Sequence, residues 1–222
     1  KKAYEGLNFL GIPVKFVTER QALAGKLQDY RLLIVPGADY VRDDAFRAVV
    51  KYARSGGKVF ASGEAFRFDQ HGRERELSSE FPELKIATKA PLKLVMNHPR
   101  LWAANINPEV LQKEGNLSHL SLDAQHYNRI SDRLLDEAGI TRAFRLYDVD
   151  GSLTWGVEFK SVEFQGRKIF SLVNWLKESA TVRIATQTRI QKLKNLIDNS
   201  ELAFKNELIE LKPMEPVLLS AE

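Results

Sequence analysis

Residues 58–73 read Lys-Val-Phe-Ala-Ser-Gly-Glu-Ala-Phe-Arg-Phe-Asp-Gln-His-Gly-Arg. A short apolar run enters a Gly63-Glu64 turn. The loop that follows gathers carboxylates, an imidazole and guanidinium groups: Glu64, Arg67, Asp69, His71 and Arg73. Two carboxyl groups placed roughly 5 to 10 Å apart across a sugar can cleave a glycosidic bond, one as acid and the other as base or nucleophile. Glu64 and Asp69 meet that demand only if the loop folds back on itself. The competing reading is a loop braced by ion pairs to Arg67, Arg73 or Arg75, and paired charges near a turn favour it. Ser62 stands in Ala-Ser-Gly. The hydrolase elbow Gly-x-Ser-x-Gly needs two glycines to relieve a crowded turn, and here those positions hold Phe60 and Glu64, which argues against a serine nucleophile.

The other reactive types are sparse. There is no cysteine, so thiol chemistry, disulfides and thiolate metal sites are excluded. His71, His98, His119 and His126 show no metal-ligand spacing and no His-Glu-x-x-His, so no metal site is expected. His98, in Asn-His-Pro-Arg, reads as a loop residue that a pocket with His71 would engage. Of the three tryptophans, Trp155 and Trp175 fall on apolar strand positions and read as core. Trp102 is kept as an exposed platform for a sugar ring. The candidate ligand-binding set is therefore Glu64, Asp69, His71, Arg73, His98 and Trp102, with no catalytic residue among them. Pro36-Gly37-Ala38-Asp39 follows a strand and belongs at the same sheet edge. Gly56-Gly57 ends a helix ahead of a strand, the reverse of a dinucleotide-binding entry, and no cofactor is implied.

A chain of 222 residues can bury a sizeable core in one large or two small domains. Hydrophobic residues at 44% and charged residues at 28% are ordinary for a globular protein. The net charge of +4 is modest and scattered, and Arg73 and Arg75 alternate with Glu74 and Glu76 as on a solvated face. Nucleic acid is not an expected partner, because binding it needs a segregated basic patch. Neither is a membrane, since the longest apolar runs are far too short to span one. The opening Lys-Lys-Ala-Tyr-Glu has no apolar h-region, but a processed chain would read the same way, so location stays open.

The elements that carry the loop follow from periodicity. Residues 2–10 read as the end of a helix stopped by Gly11 and Pro13. Residues 14–17 read as a strand, and Thr18 caps a short helix over 19–26. Residues 32–35 form a continuous apolar run, as in a parallel strand buried on both faces. Asp43 and Asp44 open a helix whose Phe46, Val49, Val50 and Ala53 share one face, and Gly56-Gly57 ends it. Residues 58–61 are the next strand. This alternation predicts a parallel sheet with crossover helices. Strand candidates follow at 84–86 and 92–96, and a helix at 123–138 with Tyr127, Ile130, Leu134 and Ala138 on one face. After Gly139 the texture changes. Asp150-Gly151 is a hairpin turn, residues 153–159 alternate with period two, and short strands recur at 169–175, 182–184, 208–211 and 217–219. The boundary is set near residue 140, giving an α/β domain over 1–140 and an antiparallel β domain, read as a small sandwich, over 141–222.

Three stretches carry a family likeness: Tyr-Glu-Gly-Leu-Asn-Phe-Leu-Gly-Ile-Pro-Val at 4–14, Tyr-Arg-Leu-Leu-Ile-Val-Pro-Gly at 30–37, and Tyr-Ala-Arg-Ser-Gly-Gly-Lys-Val at 52–59. With the Gly63-Glu64 turn, they resemble the glutamine-amidotransferase-like, flavodoxin-type domain of family-42-type β-galactosidases, often called the trimerisation domain. Phe-Ser-Leu-Val-Asn-Trp at 170–175 and the closing 211–219 resemble the β domain that follows it there. The likeness covers about two thirds of the chain and rests on fold patterns rather than catalytic ones. In amidotransferases of this fold a cysteine nucleophile sits at the turn that Gly63 occupies here, so amidotransferase chemistry is ruled out. Such folds also begin with a strand ahead of the first helix; here the sequence starts inside that helix, so that strand lies outside it or another segment replaces it. The resemblance implies a non-catalytic C-terminal portion of a glycoside hydrolase, with an upstream (β/α)8 barrel supplying the catalytic carboxylates. It further implies a homo-oligomer and carbohydrate as a partner. The alternative is an independent hydrolase or sugar-binding module that uses the loop from Glu64 to Arg73.

Overall fold

The computed structural model describes residues 2–81, 95–98, 101–104, 122–187, 190–202, 204 and 207–221. The chain divides into two compact units. One comprises Lys15–Leu117 with Glu137–Ile140, and the other Lys1–Val14, Ser118–Asp136 and Thr141–Glu222. Proximity in space thus groups residues 1–14 and 118–136 with the C-terminal strands. Among the described residues no helix is long and apolar enough to cross a membrane.

The α/β unit is built on a four-stranded mixed sheet in the order β1-β2-β4-β3, where β1 is Leu32–Pro36, β2 Lys58–Ser62, β3 Val95–His98 and β4 Leu101–Ala104. β1 runs parallel to β2 from Leu32 opposite Lys58 to Pro36 opposite Ser62, β2 runs parallel to β4, and β3 is antiparallel to β4. Between β1 and β2 lies α3, Asp43–Arg54. Asp43 and Asp44 suit its positive end, and its apolar stripe buries Phe46, Val49, Val50, Tyr52 and Ala53 against Val59 and Ala61, with Leu33 and Val35 at the margin. Each such large side chain contributes roughly 1.5–3 kcal/mol on burial. Gly56, at φ +114°, turns the chain out of the helix, and the Gly57 amide donates to Tyr52 O at 3.0 Å. Ahead of these, Thr18 and Gln21 form the reciprocal capping box of α2, Glu19–Leu23, and α4, Leu77–Glu80, follows the loop after β2.

Two sequence expectations fail in this unit. Residues 14–17 are not a strand, and Phe16 there is 76% exposed. β-Branched composition makes a strand only where another strand pairs with it, and among the described residues no strand pairing includes 14–17. β1, at the edge of this sheet among the described residues, is likewise not buried on both faces: Leu32 to Val35 are all half-buried. The candidate strand at 84–86 lies outside the described residues.

The second unit holds α1, Lys2–Asn8, and α5, Leu122–Glu137, with two antiparallel sheets. α1 meets α5 at Gly6. A Cβ there would lie 2.8 Å from Asn128 N and 2.9 Å from Tyr127 Cβ, so only glycine permits the approach. Asn128, fully buried, donates Nδ2 to Gly6 O at 3.0 Å. The buried stripe of α5 is therefore Ala124, Asn128, Ser131 and Leu135 with Leu134, rotated from the Tyr127–Ile130 face that hydrophobicity indicated. Arg142 closes the end of α5 by pairing with Asp132 and Asp136.

The five-stranded sheet has the order β10-β9-β12-β7-β6 and the three-stranded sheet β11-β8-β5. Their strands are β5 Phe144–Asp148, β6 Val157–Phe164, β7 Arg167–Asn174, β8 Ala180–Thr186, β9 Leu193–Asn195, β10 Glu201–Leu202, β11 Leu208–Leu211 and β12 Pro216–Ala221. Phe144, Leu146, Val182, Ile184, Ile209 and Leu211 from the smaller sheet share one core with Val157, Phe159, Phe170, Leu172, Leu193 and Leu219 from the larger. Buried Asn174 ties the end of β7 to β11, donating to Leu211 O at 3.0 Å and Glu178 O at 2.8 Å. The tryptophans depart from expectation. Gly156, at φ +86°, interrupts the alternation before β6, so Trp155 packs edge-on to Phe9 and is half-buried. Trp175, just past β7, is exposed and donates Nε1 to Glu158 at 3.1 Å.

Candidate functional site

In an open α/β sheet the loops that leave the carboxyl ends of the strands bind ligands. Here those loops are residues 37–42 after β1 and 63–76 after β2, and parallel pairing of β1 with β2 brings them side by side. Main-chain hydrogen bonds lace them together. Gly37 N donates to Ser62 O at 2.9 Å, Phe66 N to Ala38 O at 2.8 Å, Phe68 N to Asp39 O at 2.8 Å, and Val41 N to Phe68 O at 3.0 Å. Gly63, at φ +66°, and Phe66, at φ +69°, supply the tight reversal that lets one loop run along the other. Phe66 holds this costly conformation because its ring is fully buried against Phe46, with centroids 5.5 Å apart.

Three ion-pair clusters fix the second loop. Asp69 is buried: its Oδ1 accepts from the amides of His71 at 2.7 Å and Arg73 at 2.9 Å, and its Oδ2 from Arg73 Nε at 2.7 Å. Arg67 pairs with Glu64 and with Glu74, the latter at 3.0 Å. Arg75, its side chain only 3% exposed, pairs with Asp43 at 2.6 Å and donates to the carbonyls of Phe66, Phe68 and Val41. Its guanidinium lies 4.8 Å over the Phe46 ring. The sequence reading of Arg75 as part of a solvated face is therefore wrong. A planar fork of donors can satisfy several converging carbonyls, and that makes burial of the charge tolerable. Gln70 adds a side-chain cap to α3, accepting from Asp43 N at 3.0 Å.

Among the candidates from sequence, Glu64, Asp69, His71 and Arg73 come together on this one loop. The loop is braced, as the ion-pair reading expected. The side chains of His98 and Trp102 lie outside the described residues, although their backbones belong to β3 and β4. Sequence reasoning missed Tyr40, Arg67, Phe68 and Glu74 as a group. Tyr40 is 66% exposed and stacks on Phe68, with centroids 5.0 Å apart and ring planes 24° off parallel. Arg67 lies 5.0 Å from the centre of the same Phe68 ring. The signal for Tyr40 was its place four residues past a strand, on a Pro-Gly loop.

Burial works against the charge on Asp69, but the amides of Arg73 and His71 and the Arg73 guanidinium outweigh it and hold the carboxyl down at about 2. A group depressed in the folded state contributes stability that is fully present above its unfolded value, about 3.9, and is lost as pH falls through the folded one. We therefore expect urea melts between pH 7 and 2 to show a loss of stability that begins near pH 4. In Asp69→Asn that part of the profile should flatten and stability at pH 7 should fall. An unchanged profile would show that the carboxylate does not hold the loop. Among the described residues no group of three or more histidines, aspartates or glutamates is placed to hold a metal ion.

No family profile and no curated protein sequence matches the chain. Solved structures do. The apo exo-carrageenase GH42 from Bacteroides ovatus superposes with a TM-score of 0.65 and 18% identity, over 100% of this chain and 26% of that one. Gan42B, a GH42 β-galactosidase from G. stearothermophilus, gives 0.61 and 14% over 99% and 35%. The β-galactosidase from Bacillus circulans sp. alkalophilus gives 0.59 and 12% over 100% and 37%. At these identities the likeness is one of fold. The chain spans from about a quarter to just over a third of the length of these structures.

Proposed function

We propose that these residues form a non-catalytic part of a family-42-type glycoside hydrolase, with the α/β unit serving in assembly or as a wall beside a neighbouring active site. The observation that carries this reading is the superposition of 99–100% of this chain on only 26–37% of those glycoside hydrolase chains. On it, the α/β part is a flavodoxin-like, amidotransferase-type domain and the C-terminal part a small sandwich. The partners are an upstream (β/α)8 barrel of the same polypeptide, further copies of the chain, and carbohydrate.

The chemistry of the loop supports a supporting role. A glycosidase needs one carboxyl that keeps its proton near neutral pH, which takes an environment that raises its pKa. Asp69 is held far in the other direction, and Glu64 is engaged by Arg67. Asp69 is therefore not set up to donate a proton to a leaving sugar.

Assay of the 222-residue chain with aryl glycosides tests this, and no turnover above buffer is expected. Turnover that is lost in Glu64→Gln would establish the independent-hydrolase reading instead. Reading the coding sequence ahead of Lys1 gives a second test. A barrel with two strand-end carboxylates supports the proposal, and a start codon immediately before Lys1 sinks it.

A further inference from the structure

Tyr40 is an unusual residue to leave exposed. It sits at the carboxyl edge of a parallel sheet, on a loop fixed to its neighbour by main-chain hydrogen bonds, with one ring face laid on Phe68. Arg67, 5.0 Å from the Phe68 ring centre, flanks that stack and is paired with Glu64 and Glu74, and further along the same loop Arg73 is paired with Asp69. The main-chain bonds that join the two loops are already formed, which lowers the ordering cost of association.

We propose that the Tyr40–Phe68 stack is the platform of a carbohydrate subsite that takes one neutral pyranose ring, with Glu64, Arg67 and His71 as candidate partners for its hydroxyls. A pyranose has a face of C–H groups and a rim of hydroxyls. It therefore wants a flat aromatic ring and, beside it, a few rigid donors and acceptors. A protein partner would want a larger contiguous apolar surface. Within this loop pair Tyr40 is the large hydrophobic side chain left exposed, while Ala65 and Phe66 are buried. A phosphorylated or sulfated ligand would want a surplus of positive charge, and here Glu64 and Glu74 offset Arg67. The choice of a sugar rests on the carbohydrate-active reading above. The subsite itself is a non-catalytic one.

The test is ligand-detected and protein-detected NMR on the 222-residue chain, with methyl β-galactopyranoside and methyl β-glucopyranoside as probes and the acyclic polyol sorbitol as control. Saturable binding of a pyranoside is expected, with shifts centred on residues 37–42 and 63–75 and no comparable response to sorbitol. Tyr40→Ala should weaken binding about tenfold, and Tyr40→Trp should restore it. Because Tyr40 is exposed and gives up only its stack on Phe68, Tyr40→Ala should stay folded, with its melting midpoint lowered by a few degrees at most. The proposal is overturned by absence of saturable binding of either pyranoside, by equal binding of sorbitol, or by an unaltered affinity in Tyr40→Ala. Loss of self-association in that variant without any sugar binding would also overturn it, and would assign the ring to a protein contact. None of these results bears on the aryl-glycoside assay or the upstream coding sequence, so the two readings fail separately.

Discussion

Gly57→Ala should destabilise the α/β unit by about 3 kcal/mol, lowering its melting midpoint by roughly 10 °C. The glycine joins the end of α3 to the start of β2. A Cβ there would lie 2.5 Å from Cδ2 of Tyr52 and closer still to Cε2 and Cζ. The ring cannot step aside. It is fully buried in the α3 stripe, and its hydroxyl donates to Tyr30 O at 3.1 Å. Moving the backbone instead would shift β2 against β1 and disturb the loops that both strands deliver. Chemical denaturation of the single variants and of Gly57→Ala combined with Tyr52→Ala measures the coupling. Tyr52→Ala alone should cost about 3–5 kcal/mol from the lost ring and its cavity. The double variant should cost clearly less than the sum, because the clash disappears with the ring. Additive costs would mean that the overlap is not what requires glycine.

Arg75→Ala is the second large effect. It removes the one side chain that draws together Val41, Asp43, Phe66 and Phe68. Three carbonyls lose a donor and the Asp43 carboxylate loses its counter-ion. Breaking a buried pair in this way costs several kcal/mol, and since Asp43 still reaches water we expect the lower end, about 3 kcal/mol. Arg75→Lys should recover less than half of that, since an ammonium with three donors cannot satisfy four oxygens held by the guanidinium fork. Denaturant melts give the energies. Amide hydrogen exchange gives the mechanism: Val41, Phe66 and Phe68 should lose protection first, with the amides of β12 as reference. If lysine restores both stability and protection, charge alone suffices and the fork geometry does not matter.

Local signals in the sequence specify the elements but not their long-range partners. α3 was plain from Asp43-Asp44, the apolar spacing and Gly56-Gly57, and the structure places it at Asp43–Arg54. β1 and β2 were plain from Leu-Leu-Ile-Val and Lys-Val-Phe-Ala. The bracing of the loop by Arg67 and Arg73 was legible as well, because each partner lies within seven residues and can be reached locally. Arg75 was legible as a brace but not as an interior residue, since beyond the nearby carbonyls of Phe66 and Phe68 its partners are Asp43 and Val41, more than 30 residues away. Its alternation with glutamates is what a solvated strand would also show. Residues 14–17 and Trp175 failed for a related reason. Their apolar character was read correctly, but burial depends on a neighbour that composition does not specify.

By itself, then, the sequence determined the local elements, the absence of a thiol nucleophile and the polar loop at residues 63–76. These follow from backbone propensity, periodicity and chemical type, which are properties of short stretches. Only the tertiary structure decided that Tyr40 stacks on Phe68 at the mouth of that loop, that Arg75 is interior, and that Asp69 is a fixed anion rather than an acid. Those outcomes depend on parallel pairing of β1 with β2, which brings residues 37–42 against 63–76 through contacts between stretches some 25 residues apart in the chain.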